Sequence, residues 1–582
     1  MNNLEKLKSA KNRKELAKLL GYAPKSLTAI IYKTPPSQKY SSFEISKKSG
    51  GLRKIKAPNK RLKKLQQHLA NLLYSCQAEI ETERNASPVS FGFRRGTSII
   101  EHAKKHKRKR HVLNLDIEDF FPSLNFGRVR GYFLKDNNFK LEEEVATTIA
   151  QIACDEIGLP QGSPCSPIIS ELICQIIDLR LLRFAKKHGL TYSRYADDIT
   201  FSTNQKVFPK SVATYNVDNG CEWKLGKELV KRIETSGFKI NDVKTRMQTR
   251  GSRQEVTGLV VNEKVNIRSR YYRNARAMCD SLFSTGLYYT DASILNDDGS
   301  SPETTDSLYP LQGILNHIYH ITQSEERRPV HDQRVNPRAI RTLFRRFLFF
   351  KNCVALTKPL IITEGKTDPV YLREAMRSLH KDFPNLCEKT SDGFKFHVSF
   401  FNYNGKVHEV SDLSGGAGDL KSIPLDYLRN LPNQTTQKQG KHHGRKPILY
   451  KPMLYPVILL LDNDDGLSAV AGTIKKNFDI KIGKKDTSAF YHITENLYLI
   501  KTLEINGDSC IEDMFPEKWL KKKLKGKSFS TKAKIDPHTE YSKEIFANSI
   551  IRPNAADIDF SGFKPLLERI SVTLNQYSKN KI

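Results

Sequence analysis

Two adjacent carboxylates in Tyr195-Ala196-Asp197-Asp198 are the most chemically loaded pair in the sequence. Strand-type residues flank them, Ser193-Arg194-Tyr195 before and Ile199-Thr200-Phe201 after, so the pattern predicts a tight hairpin with the acids at its tip. Carboxylates side by side repel one another, lose hydration and ordinarily need cations. A solvated Asp-Asp turn fits those four residues equally well, so the partners decide. A third acid, Asp116, closes the apolar run Val112-Leu113-Asn114-Leu115, and Pro122 stops the strand that continues through Phe120-Phe121. Alone, Asp116 reads as a cap or turn residue. Gathered with Asp197 and Asp198 on a basic chain, it makes poor structural sense without metal. Two Mg²⁺ ions would neutralise the three, activate an attacking hydroxyl and stabilise the leaving oxygen of a phosphoryl transfer.

Several elements are spaced to position such a site. Leu159-Pro160-Gln161-Gly162-Ser163-Pro164-Cys165-Ser166-Pro167 reads as a loop opening a helix over 168–182, with Ser166 as N-cap and Pro167 at the first helical position. Upstream, Phe43 to Pro58 forms two β-like runs about Gly50-Gly51, carrying Lys47, Lys48, Arg53, Lys54 and Lys56 for phosphates. A helix with Leu62, Leu65, Leu69 and Leu72-Leu73 on one face follows. Lys104 to His111 is the densest basic run and leads directly into the strand of Asp116. Residues 1–40 hold short helices around Gly21, an amphipathic cap in preference to a recognition module.

Composition narrows the partners. The 582 residues carry 95 Lys and Arg against 63 Asp and Glu, a formal charge of +32 that favours a polyanion. The longest purely apolar run, Val457 to Leu461, is far short of the roughly 20 residues that span a bilayer. No signal peptide is read at the first residues, and nine cysteines without a CxxC indicate neither a zinc site nor a disulfide framework. The expectation is a cytoplasmic protein that handles nucleic acid and has no membrane partner.

Taken in order, Leu115-Asp116-Ile117 with Phe120-Phe121, Leu159-Pro160-Gln161-Gly162-Ser163-Pro164 and Tyr195-Ala196-Asp197-Asp198 resemble the palm of reverse transcriptases over roughly residues 40–265. The resemblance implies that Asp116, Asp197 and Asp198 hold two Mg²⁺ ions and act in catalysis. It implies that Arg53, Phe121, Gln161, Gly162 and Tyr195 bind nucleotide and template, with the Phe121 ring excluding a 2′-hydroxyl. It puts Lys244 near the leaving pyrophosphate, as general acid or charge stabiliser, although a surface lysine fits the spacing as well. Val256-Thr257-Gly258 is similar to the bacterial retron branch, where it belongs to recognition of a cognate structured RNA. The branch's Asn-Ala-x-x-His is absent; Ala146 to Gln151 stands there. Arg268 to Arg276 resembles the start of a thumb that grips a duplex, 291–306 reads as a mobile loop, and Arg338, Arg341, Arg345 and Arg346 complete the thumb.

A second acidic set follows. Pro359 to Thr363 and Val457 to Leu461 are buried-type strands ending in Glu364-Gly365-Lys366-Thr367-Asp368 and Asp462-Asn463-Asp464, with Gly415-Gly416 between them, a pattern suited to a parallel sheet. It resembles the TOPRIM fold, in the form of the overcoming-lysogenization-defect nucleases, with weaker support from Glu512 and Lys543. That implies a divalent metal on Glu364, Asp368, Asp462, Asp464 and Glu512, with Glu364 and Lys543 in catalysis. A domain that only binds RNA or protein remains open.

The fold expected is therefore an α+β right-hand polymerase of fingers, palm and thumb, followed by an α/β TOPRIM domain with a mainly parallel sheet. Its divisions are an N-terminal helical segment (1–40), fingers and palm (41–265), thumb (266–352), TOPRIM domain (353–520) and a basic extension (521–582). The resemblance implies an RNA-directed DNA polymerase that copies a cognate non-coding RNA into a branched RNA–DNA hybrid, msDNA, with a nuclease effector in antiphage defence. Expected partners are that RNA, its cDNA, deoxynucleoside triphosphates and, as an open alternative, a second copy of the chain. The alternatives are a group II intron-like or free-standing reverse transcriptase with a non-catalytic nucleic-acid-binding C-terminal domain, and a scaffold that only binds.

Overall fold

The computed structural model describes residues 2–46, 51–84, 88–216, 222–290, 303–403, 405–413, 416–431, 446–504, 507–531 and 535–580. Lys47, Lys48, Gly50, Gly415 and most of the 291–306 loop lie outside them. Two compact units account for the chain, one of residues 1–268 with 321–326 and one of residues 269–320 with 327–582.

The first unit is α+β. Strands β1 (Tyr40–Ser46) and β2 (Leu52–Pro58) pair antiparallel as a ribbon of their own. Most of β1 is exposed and Ile45 and Leu52 stand in solvent, so the ribbon projects instead of joining a core. The central sheet is built on β3 (His111–Glu118), flanked by β5 (Asp198–Thr203), which pairs in turn with β4 (Thr191–Tyr195). β6 (Ala213–Asn216) and β7 (Glu222–Leu225) form a separate hairpin, while β8 (Lys239–Ile240) and β9 (Arg246–Thr249) return to β3. β10 (Glu255–Val256) and β11 (Leu259–Val260) close a small hairpin. Helix Lys60–Arg84 puts Leu62, Leu65, Leu69 and Leu73 inside, and helix Ser166–Lys187 is buried along most of its length, so β3 is covered by apolar surface.

The N-terminal helices pack on the core, and the start of helix Ser166–Lys187 differs from the sequence expectation. The N-terminal segment holds helices Asn3–Ser9, Arg13–Leu19 and Pro24–Thr28, and Leu7, Leu16 and Leu27 are buried in the same core as Leu113 and Phe201. Ser166 does not cap its helix. Cys165 occupies that position without a side-chain bond, and the Ser166 hydroxyl donates to the Pro160 carbonyl at 2.9 Å, pinning the loop that precedes it.

The second unit contains two short strands, β12 (Tyr288–Tyr289) and β13 (Thr304–Thr305), and a five-stranded sheet. β14 (Leu360–Thr363) pairs parallel with both β17 (Ser399–Phe400) and β18 (Val457–Leu461). β18 pairs parallel with β20 (Leu497–Lys501), and β19 (Tyr491–Thr494) adds the antiparallel edge. β15 (Cys387–Thr390) and β16 (Gly393–Phe396) make a separate hairpin. Both central strands are buried throughout, as continuous Leu/Ile runs covered on two faces require. The arginines of helix Ala339–Phe349 are internal keys. Arg341 donates to Asp412 at 2.7 Å, and Arg345 donates to Asp412 and, at 3.0 Å, to Asp426. Arg346 lies over the Phe283 ring at 4.6 Å.

Segment 89–92 runs beside β4, with Phe91 N–H donating to the Arg194 carbonyl and Arg194 N–H to the Val89 carbonyl, both at 2.9 Å. A Cβ on Gly92 would stand 2.4 Å from the Ala196 nitrogen. No side chain fits against that backbone, so Gly92→Ala is expected to destabilise the first unit by about 2–4 kcal/mol through steric strain. Thermal melting of the two forms checks this; an unchanged midpoint would show that the turn can move aside.

Candidate active site

β3 and β5 set the geometry. Their register places Asp116 directly opposite Asp198, and Tyr195 pairs with Asp198, leaving Ala196 and Asp197 as a two-residue turn. Ala196 sits at φ +55°, a left-handed conformation that costs a non-glycine residue about 1 kcal/mol. The Asp197 carbonyl accepts from Ile117 N–H at 3.1 Å, which ties the turn to the strand of Asp116. Three acids from remote parts of the chain thus meet at one sheet end.

Burial pushes the Asp198 carboxyl up to about 7, with Asp197 and Asp116 adding to the rise. Asp197 is raised as well, by burial first and then by Asp116. Lys244 closes the one-turn helix Asp242–Lys244 and donates to both oxygens of Asp116, at 2.9 and 3.0 Å. Among the described residues no three His, Cys, Asp or Glu side chains are already drawn together at metal-holding geometry. Two of the acids are held against ionisation and the third has recruited an ammonium. Hard carboxylate oxygens in that condition fit Mg²⁺.

A cleft of about 980 Å³ opens over these acids, lined by Asp116, Asp197, Lys244, Gln161, Arg53 and Lys56 among others. Lys56 N–H donates to the Gln161 carbonyl at 2.8 Å, and a Cβ on Gly162 would be 2.7 Å from the Lys56 carbonyl. The backbone that Gly162 must approach is therefore that of β2. Phe121 is half-buried, with ring centroids 5.7 Å from Phe93 and 5.3 Å from Phe120.

The support beneath the turn escaped the sequence reading. Arg194 is fully buried; it donates to Glu171 at 2.9 Å, to both Asp178 oxygens at 2.7 and 2.8 Å, and to the Ala196 carbonyl at 3.0 Å. Tyr192 donates to Asp178 at 2.6 Å and Ser90 to Glu171 at 2.9 Å, so both acids are satisfied. An arginine one residue before the aromatic of the turn, with acids seven apart on a nearby helix, was the available signal.

Val256, Thr257 and Gly258 form the tip of the β10–β11 hairpin, with Val256 buried, Thr257 at φ +46° and Gly258 at φ +78°. Arg253 and Arg268 flank it, held by Glu255 at 2.7 and 2.5 Å with their own side chains largely exposed.

In the second unit the acids cluster at the carboxyl ends of β14 and β18. Burial, then Asp368, Glu512 and Glu364, push Asp462 up to about 8. Burial and Glu512 push Asp368 up to about 6, although Gly365 N–H donates to it at 2.8 Å. Glu364 is raised by burial and by Asp464. Lys543 donates to Glu512 Oε2 at 3.0 Å, while Glu512 Oε1 is buried without a hydrogen-bond partner among the described residues. Burial works against the Lys543 ammonium, but Glu512 and Asp462 outweigh it and hold the charge. Asp464 has an ordinary task as well: it caps helix Asp465–Phe478, accepting from Gly466 N–H at 2.7 Å. An orphaned carboxylate oxygen amid raised acids suits a divalent cation here too. Among the described residues no helix is long and apolar enough to cross a membrane, and eight cysteines are free.

Comparison with known proteins places residues 45–267 in the family described as reverse transcriptase (RNA-dependent DNA polymerase). The chain is 32% identical over 276 residues to the Retron Ec86 reverse transcriptase of Escherichia coli, covering 47% of this chain and 78% of that protein. It is 33% identical over 257 residues to the Retron Mx65 reverse transcriptase of Myxococcus xanthus, covering 41% of this chain and 55% of the relative. The Mx162 reverse transcriptase of the same organism is 32% identical over 281 residues, and the match again spans 55% of its length. A solved telomerase from Candida tropicalis, in complex with a TWJ fragment of telomeric RNA, aligns with 69% of this chain and 63% of its own at 14% identity and a TM-score of 0.29.

Both acid sets give the protein a pH dependence. An unfolded aspartate titrates near 4, whereas Asp198 and Asp462 titrate at about 7 and about 8 when folded. Between those limits the folded state holds more protons, so stability falls as pH rises. Melting in EDTA is expected to show the midpoint dropping from pH 5 to pH 8.5, with Mg²⁺ recovering most at the alkaline end. A midpoint that rises with pH in EDTA would contradict the burial assigned to these acids.

Proposed function

The chain belongs to the retron reverse transcriptase family, and from that premise we propose that it is an RNA-directed DNA polymerase working on a cognate structured RNA. The observation that carries the reading is the register of β3 and β5, which sets Asp116 opposite Asp198 with Asp197 on the turn between β4 and β5. Asp116, Asp197 and Asp198 would hold two Mg²⁺ ions, which supply charge neutralisation for the attacking and leaving oxygens of nucleotidyl transfer. The protein's own part is positioning. Lys244, now on Asp116, is within a side-chain swing of the cleft where a departing pyrophosphate would leave, and its ammonium can donate a proton or charge there. Arg53 and Lys56 bring cations from the ribbon to the triphosphate. Gln161 and Gly162 carry the nascent base pair on a loop fixed to that ribbon, with Tyr195 and Phe121 as the aromatic contacts to template and sugar.

The arginine-flanked Val256-Thr257-Gly258 tip is the contact for the cognate RNA. Copying that RNA into DNA from a 2′-hydroxyl gives the branched RNA–DNA hybrid, and RNA, cDNA and deoxynucleoside triphosphates are its partners. The second unit, with its mainly parallel sheet, is read as a TOPRIM nuclease effector in antiphage defence. Glu364, Asp368, Asp462 and Glu512 form its metal set, Asp464 adds a capping acid, and Lys543 is the charge at the reacting phosphate. Supporting this is the unpartnered Glu512 oxygen beside acids that burial holds against ionisation.

Two substitutions separate the centres. Asp197→Asn with Asp198→Asn is expected to cut deoxynucleotide incorporation at least 10³-fold, measured as primer extension with Mg²⁺; normal incorporation would overturn the palm assignment. Glu364→Ala or Asp462→Ala is expected to leave incorporation within about twofold and abolish Mg²⁺-dependent cleavage of nucleic acid by the purified protein. Cleavage undiminished in both variants would remove the nuclease reading.

A further inference from the structure

Helix Ile99–Lys105 lies between the β10–β11 hairpin and β4, and one of its side chains faces both. His102 is fully buried, and its Nδ1 is 3.2 Å from Thr257 Oγ1 at the exposed hairpin tip. Its ring centroid is 5.9 Å from that of Tyr195, the first residue of the catalytic turn, and 5.6 Å from Phe91, which is hydrogen-bonded to Arg194. The second ring nitrogen, Nε2, is buried with no hydrogen-bond partner among the described residues. Four residues on, His106 fixes the strands themselves. Its Nδ1 is 2.7 Å from Ser202 Oγ on β5 and its Nε2 is 2.5 Å from Ser193 Oγ on β4.

The two histidines differ in a telling way. His106 uses both ring nitrogens on the strands and is a complete structural clip. His102 spends one nitrogen on a single hydroxyl and leaves the other unmet, at a cost of about 1–3 kcal/mol that packing alone would remove. Leu or Met would fill the same apolar slot between Phe91 and Tyr195 without it. What an imidazole adds there is a directional link to Thr257. Thr257 is held at φ +46°, so its side-chain direction depends on the turn keeping its shape.

We propose that His102 is a positioning residue that couples the Thr257–Gly258 tip to the Tyr195 end of the catalytic turn, so that a ligand seated on the tip sets the placement of Asp197 and Asp198. The inference rests on the polymerase reading and deepens it: the occupant of the tip is a folded RNA, recognised by the flanking Arg253 and Arg268. The coupling is short, running from hydroxyl to imidazole to phenol ring to the adjacent turn. It acts on turnover, because neither His102 nor Thr257 lines the Arg53–Gln161 cleft that would hold the nucleotide.

The test is a double-mutant cycle on the full chain, using a poly(rA)·oligo(dT) primer–template with Mg²⁺ and thymidine triphosphate. His102→Leu and Thr257→Val are each expected to lower kcat about tenfold with KM for the nucleotide within twofold. The double variant should be no slower than His102→Leu alone, and His102→Asn, whose amide can reach Thr257, should recover most of the rate. Losses that multiply in the double variant, or a fall confined to the melting midpoint with kcat unchanged, would overturn the coupling. Should His102→Leu fail to fold, the cycle of Thr257→Val with Tyr195→Leu carries the same prediction of non-additivity, and additive losses there refute it. If the wild-type chain incorporates no nucleotide at all, the polymerase reading fails instead, and the two failures are told apart.

Discussion

Everything at the first acid centre depends on one buried charge. Arg194 has no contact with solvent, and its guanidinium spends its hydrogen bonds on Glu171, Asp178 and the carbonyl of Ala196. Removing Arg194 would leave Glu171 and Asp178 as buried acids without their cation, a change that typically costs about 3–5 kcal/mol. The network therefore holds a strained left-handed residue in place where a looser interior would let it relax. It also joins two distant parts of the sequence. Glu171 and Asp178 stand on helix Ser166–Lys187, whose first turn is fastened to Pro160. The loop that would touch the base pair and the turn that carries the acids are two ends of a single rigid element.

The two acid centres solve the same electrostatic problem by the same means. Each gathers carboxylates at the end of buried strands, where ionisation is disfavoured, and each admits one lysine to offset them: Lys244 on Asp116, Lys543 on Glu512. They differ in how the lysine is held. Lys244 is half exposed on a one-turn helix and can leave, whereas Lys543 sits against a carboxylate that is itself almost wholly buried. The first arrangement suits a group that moves during a cycle. The second suits a fixed charge.

Much of this was legible in the sequence because it is local. Apolar runs ending in acids give buried strands, and Asp197-Asp198 between two β-type stretches gives a hairpin. Leu360 to Thr363 and Val457 to Leu461 announce a parallel sheet by their unbroken hydrophobicity. What was not legible depends on partners remote in the chain. Gly92 looks like any loop glycine until the Ala196 backbone is set against it. Arg341 and Arg345 have the spacing of a basic helix face suited to a duplex, yet Asp412 and Asp426 claim them. Ser166 before Pro167 has the pattern of a cap, but the helix already begins at Ser166, with Cys165 in the cap position, and the Ser166 hydroxyl donates to the Pro160 carbonyl. Asp464, a ligand by what the TOPRIM resemblance implies, is also the cap of the next helix.

The β1–β2 ribbon carries a mechanical consequence. It is fastened to the rest of its unit by Lys56, whose backbone N–H holds the Gln161 carbonyl and whose ammonium holds Asp155 at 2.6 Å, with Gly162 pressed against the same residue. A ribbon so exposed would otherwise swing as a free arm. Lys56 joins it to the Gln161–Gly162 loop, and Tyr40, which accepts from Gln66 at 2.9 Å, holds its base. The ribbon that carries Arg53 and Lys56 and the loop that carries Gln161 and Gly162 are therefore mechanically joined, and a displacement of one is passed to the other.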